Sequence, residues 1–293
     1  MTKRILVTGG SGFVGGSVLH HASADWDIHV CSRSVLPNVP SNVTYHQIDL
    51  CDSDKTEQLI RSVKPDAVLH IAAIANIDYS EANESEATLV NTEMTGCLAR
   101  LAAEQGAKFV FCSTDNVFDG EAGSYDEGAL VSPINFYGRT KVAAEVLAHE
   151  SQENVVIARV ALVIGLPFMG AGNSFLIKME ESLKAGKAIS IPENEVRSPV
   201  DVITLAKSLL EFADNDFTGV INMAGSTRLN RYEMAKQIAT KLGYSTDLVH
   251  ATDSNAMKGR APRPNDVSLN NALARDVLKT PMRELDESLD MIF

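Results

Sequence analysis

Through residues 1–165, short runs of β-branched and other apolar residues alternate with longer stretches whose apolar positions recur every three or four residues. The segments RILVT (4–8), DIHVCS (27–32), VTYHQI (43–48), DAVLHIA (66–72), KFVFCS (108–113) and NVVIARV (154–160) read as strands, apolar enough for burial on both faces. Helical patterns lie between them at 12–23, 53–63, 80–105 and 136–151. In the third of these, Ala87, Val90, Met94, Leu98 and Leu101 fall on one stripe. Such alternation predicts an α/β fold, a doubly wound parallel sheet covered by helices on both faces. After residue 165 the pattern loosens into a loop, GLPFMGAGNSF, followed by a helix and a short strand ISI (189–191). A helix (201–213), a strand GVINMA (219–224), a helix (230–242) and a basic, proline-bearing loop GRAPRP (259–264) follow. Residues 1–165 are therefore expected to form a nucleotide-binding domain. Residues 166–293 are expected to form a smaller lobe interleaved with it, 219–224 returning to extend the first sheet.

Charge narrows the possible partners. The 293 residues carry a formal net charge of −12 and no basic run that offsets it. No nucleic acid and no anionic membrane is expected to bind such a surface. An anionic small molecule remains compatible, because helix N-termini and a few placed arginines bind phosphate in an acidic protein. Cys31, Cys51, Cys97 and Cys112 sit in apolar or strand-like segments without metal-ligand spacing. They read as reduced thiols of a cytoplasmic protein. The opening MTKRILVTGG holds only a strand's length of apolar residues, which predicts no signal peptide. No run approaches the roughly 18 apolar residues of a membrane span. A monomer and a homodimer both fit this composition.

The first candidate chemistry is TGGSGFVGG (8–16), a glycine-rich turn between the first strand and the first helix. Gly9 permits the tight turn, Gly12 lets backbone approach a pyrophosphate, and Gly15 lets the helix pack closely on its strand. The phosphates would then lie at the helix N-terminus, as in Rossmann-type dinucleotide sites. Ser11, Phe13 and Val14 complete the turn's expected cofactor contacts. The second strand ends Cys31-Ser32-Arg33-Ser34, without the carboxylate that holds the ribose 2′-hydroxyl of NAD. Ser32 and Arg33 suit a 2′-phosphate, so NADP(H) is the expected cofactor and NAD(H) the alternative. A solvated loop arginine is the competing reading of Arg33. Asp49, beside Leu50, is placed either to accept from an adenine amino group or to serve as a turn residue near Asp52. Ala72 and Ala73, after the fourth strand, are the remaining backbone contacts expected.

The run YGRTK (137–141) spaces Tyr137 and Lys141 one helical turn apart. A phenol titrates near 10, and a neighbouring ammonium brings its proton within reach of general acid–base chemistry. With the hydroxyl pair Ser113-Thr114, HIAAIA (70–75), Val90-Asn91 and STDNVFDG (113–120), the chain resembles the extended short-chain dehydrogenase/reductase superfamily. That resemblance implies that Thr114 orients a substrate oxygen and Tyr137 exchanges the proton. It implies that Lys141 holds the nicotinamide ribose and lowers the phenol's pKa, with Asn91 as the matching helix asparagine at the cofactor.

The C-terminal half is similar to the dTDP-4-dehydrorhamnose reductase group in GNSF (172–175), VRSPVDVITLA (196–206) and RAPRPNDVSLN (260–270). Ser174, Val200 and Asn270 depart from that group's pattern. Arg260 and Arg263, in a proline-stiffened loop, suit a substrate diphosphate, with Asn173 reaching from the facing loop. Pairing with surface acids is the other reading of Arg260. Related 4,6-dehydratases follow the threonine with Asp-Glu, whereas this chain has Asp115-Asn116, and an amide is no base. Gly16 and Ser17 stand where some bacterial reductases carry magnesium-site glutamates, so the resemblance implies no required metal. The expected function is NADPH-dependent reduction of a 4-keto-6-deoxy nucleotide sugar. A nucleotide-sugar epimerase is one alternative, and a non-catalytic subunit resembling the methionine adenosyltransferase β subunit is another.

Overall fold

A computed structural model describes residues 2–36, 39–169, 174–256 and 259–293. Six strands come from the first part of the chain: β1 (Arg4–Thr8), β2 (Asp27–Ser32), β3 (Val43–Gln47), β4 (Ala67–His70), β5 (Lys108–Thr114) and β6 (Val155–Val160). A seventh, Gly219–Met223, pairs parallel with β6. The order across the sheet is Gly219–Met223, β6, β5, β4, β1, β2, β3, and every pairing is parallel. The direction of winding reverses between β1 and β4. There the crevice beyond the strand ends is left open, the usual ligand position of a doubly wound sheet.

The apolar runs are strands because both of their faces are covered. Ile5, Val7, Ile28, Val30, Leu69, Val110 and Val156 are buried with Leu205, Leu209 and Phe212 in one core. Leu6, Val68, Phe109, Phe111 and Ile157 pack with Leu59, Leu98 and Leu101 in the other. Burying each such side chain contributes roughly 1.5–3 kcal/mol. β4 stops at His70, short of the expected 72, because the amides of Ile71 and Ala72 both donate to Thr8 Oγ1, 3.1 Å away.

The helices between the strands are α1 (Phe13–His21), α2 (Ser53–Val63), α3 (Ile77–Ala82), α4 (Glu84–Thr88), α5 (Met94–Glu104) and α6 (Phe136–Ser151). The single helix expected over 80–105 is divided. Asn76 caps α3 by accepting from Tyr79 N, and Asn83 interrupts the path before α4. A π-helical turn, Leu89–Glu93, then joins α4 to α5. The stripe survives these breaks, with Ala87, Val90, Met94, Leu98 and Leu101 all buried.

Residues beyond β6 build a separate apolar cluster from Leu176, Met179, Leu183, Ile191, Met234, Ile238, Val249 and Leu289. Short strand pairs flank it, Ile189–Pro192 with Val249–Thr252 in parallel and Val196–Arg197 with Leu229–Asn230 antiparallel. Among the described residues no helix is long and apolar enough to cross a membrane.

Candidate active site

The glycine turn follows β1 at the reversal point. Gly9 has φ +73°, and a Cβ there would lie 2.8 Å from Ala72 N, so both conformation and space require glycine. Gly15 closes the turn on itself, since its Cβ would meet Gly9 O at 2.2 Å. The close approach is of α1 to the chain directly after β1, where the strand runs into the turn. Gly10 is the glycine that meets a strand, its Cβ position lying 2.0 Å from Val30 Cγ2. Gly12 is the N-cap of α1, without a side-chain cap and with no acidic residue in the first turn. That helix end faces a groove with uncommitted positive dipole, which fits a pyrophosphate.

The groove has a volume of about 570 Å3. Gly9, Ser11, Gly12, Phe13, Val14, Ser32, Arg33, Asp49, Leu50, Ala72 and Ala73 line it. Cys51, Ile74, Val90 and Met94 also line it and were not among the expected contacts. Arg33 is exposed at the groove. The Ser32 hydroxyl turns to Ser34 O at 2.8 Å, so it shapes the loop that carries Arg33. Asp49 both lines the groove and accepts from Cys51 N at 3.0 Å, so its turn role and its groove position coexist.

Of the expected cofactor contacts, Gly15, Asn91, Tyr137 and Lys141 are not among the lining residues. Asn91 is 1 % exposed, and its amide is committed to protein. Its Oδ1 accepts from Ile74 N at 2.8 Å, while Nδ2 donates to Ile74 O and Thr140 Oγ1, each at 3.1 Å. It is a brace between the groove wall and α6 rather than a direct contact. The π-helical turn carries this asparagine, consistent with the frequent placement of such bulges at functional sites.

Beneath the groove runs a buried hydrogen-bond relay. Thr8 Oγ1 lies 2.8 Å from His70 Nδ1, and His70 Nε2 lies 2.9 Å from Thr95 Oγ1. Thr95 Oγ1 in turn donates to Asn91 O at 2.7 Å. The Thr8 oxygen already accepts two amide protons, so its hydroxyl donates to Nδ1 and fixes the proton of a neutral ring on Nε2. A second ring proton would find no acceptor. Burial, together with the nearby Lys141 charge, pushes His70 down to about 3.

α6 brings in the Tyr-Lys pair. Asn135 caps it through Gly138 N at 2.8 Å, and Glu81 Oε2 accepts from Phe136 N at 2.8 Å. Gly138 lets the helix approach the β5 loop, since its Cβ would meet Asn116 O at 2.2 Å. Tyr137, Lys141 and Thr114 are thereby buried together at the carboxyl end of β5. Ser113 points the other way, as alternation along a strand requires, and donates to Glu145, which pairs with Arg159 at 2.9 Å.

The electrostatics depart from expectation. Lys141 Nζ donates to Cys112 O at 2.7 Å and sits 4.0 Å from the centroid of the Phe111 ring. The phenol of Tyr137 is raised above its ordinary value, chiefly by burial; a hydrogen bond with Thr114 opposes this and the Asp115 carboxylate reinforces it. The expected lowering of the phenol by Lys141 is therefore not seen in this arrangement. Lys141 itself is pushed down to about 8 by burial.

Arg263 is also placed differently from its expected diphosphate role. It is 9 % exposed and donates to Ala261 O and Asp78 Oδ2, both at 2.8 Å. Asp78 also accepts from Ala261 N at 2.9 Å, and Asn135 Nδ2 donates to Pro262 O at 3.1 Å. Arg263 thus straps the basic loop to α3 and to the cap of α6. Arg260 is half-buried and bears on the Asp78 carboxylate as a neighbouring positive charge. Asn173 lies outside the described residues. R263A and D78N are expected to cost similar stability, about 1 kcal/mol, because the Asp78 side chain is 44% exposed and water screens the pair. The double variant should lose little more than either single one. Thermal denaturation of the four proteins checks this, and additive losses would rule out the strap.

Comparison with known proteins gives the lineage. The methionine adenosyltransferase 2 subunit beta of Pongo abelii is 28% identical over 269 residues, covering 89% of this chain and 79% of that one. The dTDP-4-keto-6-deoxy-D-glucose reductase of Streptomyces niveus is 27% identical over 295 residues, covering 100% and 97%. The crystal structure of dTDP-4-dehydrorhamnose reductase from Bacillus anthracis str. Ames, in complex with NADP, is similar in fold with a TM-score of 0.89. It is 24% identical and covered to 99%, and it matches 100% of this chain. With the glycine turn, the Tyr-Lys helix and the C-terminal lobe all inside the region matched, residues 3–293, the chain belongs to the RmlD substrate binding domain family.

Proposed function

We propose that this protein is an NADPH-dependent reductase acting on the keto group of a 4-keto-6-deoxy nucleotide sugar. The observation that carries the reading is the meeting of Thr114 and Tyr137 in a buried site at the end of β5, tied through Thr140 and Asn91 to Ile74 of the groove wall. Bound in the groove, the dinucleotide would supply the hydride. The chain's own residues do the rest. The phenol, held protonated by burial, gives its proton to the oxygen of the reduced carbonyl, and Thr114 sets the position of that phenol. The Gly12 end of α1 and Arg33 hold phosphate, while Asn91 and Thr8 fix the wall that faces the nicotinamide end. The Streptomyces niveus relative, named as a reductase of this class and matched along the full chain, supports the substrate class. The Bacillus anthracis structure, solved with NADP, supports the cofactor.

NADPH oxidation by the purified protein against a panel of 4-keto-6-deoxy nucleotide sugars tests the reading. A second reading, a regulatory subunit without turnover, draws on the adenosyltransferase relatives. It predicts cofactor binding with no oxidation on any sugar of the panel. For the cofactor, Arg33→Ala is expected to erase most of a tenfold to hundredfold preference for NADPH, about 1.5–3 kcal/mol of charged hydrogen bonding. Titration of both cofactors into both proteins measures it, and a wild type that prefers NADH would refute the assignment.

A further inference from the structure

Asp115 follows Thr114 directly and is 4 % exposed. Its Oδ1 faces the Thr114 hydroxyl at 3.2 Å and accepts from Asn116 Nδ2 at 2.8 Å. Its Oδ2 lies 3.8 Å from Arg197 Nε, on the short strand Val196–Arg197 of the C-terminal part of the chain. Arg197 is held in place by Val196 O at 2.7 Å, Pro264 O at 3.1 Å and Asn265 O at 3.2 Å, with Glu195 at 3.6 Å. The charged or titratable groups facing Asp115 are thus Arg197 from that strand and Tyr137 from α6.

An ionised carboxylate only accepts hydrogen bonds. With Asp115 ionised, the Thr114 hydroxyl proton is directed at Oδ1, and the Thr114 oxygen also receives Asn116 N at 3.2 Å. In that state Thr114 has no proton to offer a substrate carbonyl. With a proton on Oδ1 the direction reverses. Asp115 donates to Thr114, Oδ1 still accepts from Asn116, Oδ2 still faces Arg197, and the Thr114 proton is released toward the site. Both states use the same heavy-atom positions, the shorter Asn116 Nδ2 bond staying on Oδ1 at 2.8 Å and the 3.4 Å contact of Nδ2 with Thr114 Oγ1 giving way when Asp115 donates there.

We propose that Asp115 is a positioning residue for the reduction, its protonated form turning the Thr114 hydroxyl toward the carbonyl oxygen and its ionised form turning it away. The inference rests on the reductase reading above. Burial favours the neutral form, raising the carboxyl above the usual range against the pull of Arg197.

Two measurements test this. In the first, kcat is followed against pH for wild type and D115N, whose amide can donate to Thr114 at every pH. Wild type is expected to lose turnover by about tenfold per pH unit above the Asp115 midpoint, while D115N holds a constant rate there. A D115N profile that keeps the same limb, or that is depressed equally at all pH values, overturns the proposal. The second needs no substrate. Carbon-13 NMR of carboxyl-labelled aspartate locates the Asp115 midpoint in wild type and in T114V, which removes a donor to the carboxylate. T114V is expected to move the midpoint upward, and an unmoved midpoint overturns the coupling even if D115N fails to fold. A wild type that reduces no sugar while T114V shifts the midpoint would sink the reductase reading and leave the Thr114–Asp115 coupling standing.

Discussion

Tyr137→Phe is expected to lower kcat by at least about a hundredfold and up to about ten-thousandfold, the range of general acid catalysis. The ring fills the same buried space, so folding and cofactor affinity should change little. Removing only the hydroxyl deletes the proton that Tyr137 is proposed to give the substrate oxygen. It also leaves the Thr114 oxygen with its Asn116 partners, so the β5 loop keeps its shape. Steady-state rates together with NADPH titration separate the two effects. Near-full activity in the variant would place the acid elsewhere, whereas parallel loss of cofactor binding would make Tyr137 structural.

Acid should destabilise this protein steeply, and His70 should account for much of the slope. Its folded-state value is about 3 against an ordinary 6.5. The folded value is the lower one, so below pH 6.5 the unfolded chain takes up a proton that the folded chain refuses. Stability is therefore complete above pH 6.5 and is lost as pH falls toward 3, at about 1.4 kcal/mol per pH unit. His21 and His46 are shifted in the same direction, each first by burial, so they add to the trend. H70Q isolates the contribution of His70. It should be less stable than wild type at pH 8, because the relay from Thr8 to Thr95 is broken, yet show a flatter loss between pH 6.5 and 4.5. Urea unfolding at several pH values in both proteins checks this, and parallel lines would show that the ring is not the proton-linked group.

Much of the fold was legible because its signals are local. Apolar runs of strand length, helical spacing and glycine placement are set by neighbouring residues, and they predicted six strands and the helices at 12–23, 53–63 and 136–151 closely. The candidates Gly9, Gly12, Arg33, Asp49, Ala72 and Ala73 all line one groove, since a parallel sheet carries the ends of its strands to one edge. Thr114, Tyr137 and Lys141 were named from their motifs, and the fold brings all three to the end of β5. The break of the helix at Asn83 and the π-helical turn after it were not legible, because no local spacing marks them; the turn carries Asn91, whose partner Thr140 lies 49 positions away.

The sequence by itself determined the α/β alternation, the glycine turn after β1 and the residue types available for proton transfer. Tertiary structure decided which side chains are free to use that chemistry. Arg263 finds its acid 185 positions away in Asp78, and Lys141 finds a carbonyl 29 positions away in Cys112. Asp115 meets Arg197 only because the C-terminal part of the chain folds back over β5. His70 is an ordinary imidazole in the sequence and becomes a neutral relay only when Thr8 and Thr95 close on its two nitrogens. A charge or a hydrogen-bond donor is written into the chain, whereas its partner and its burial are fixed by long-range packing, and these set both its pKa and its role.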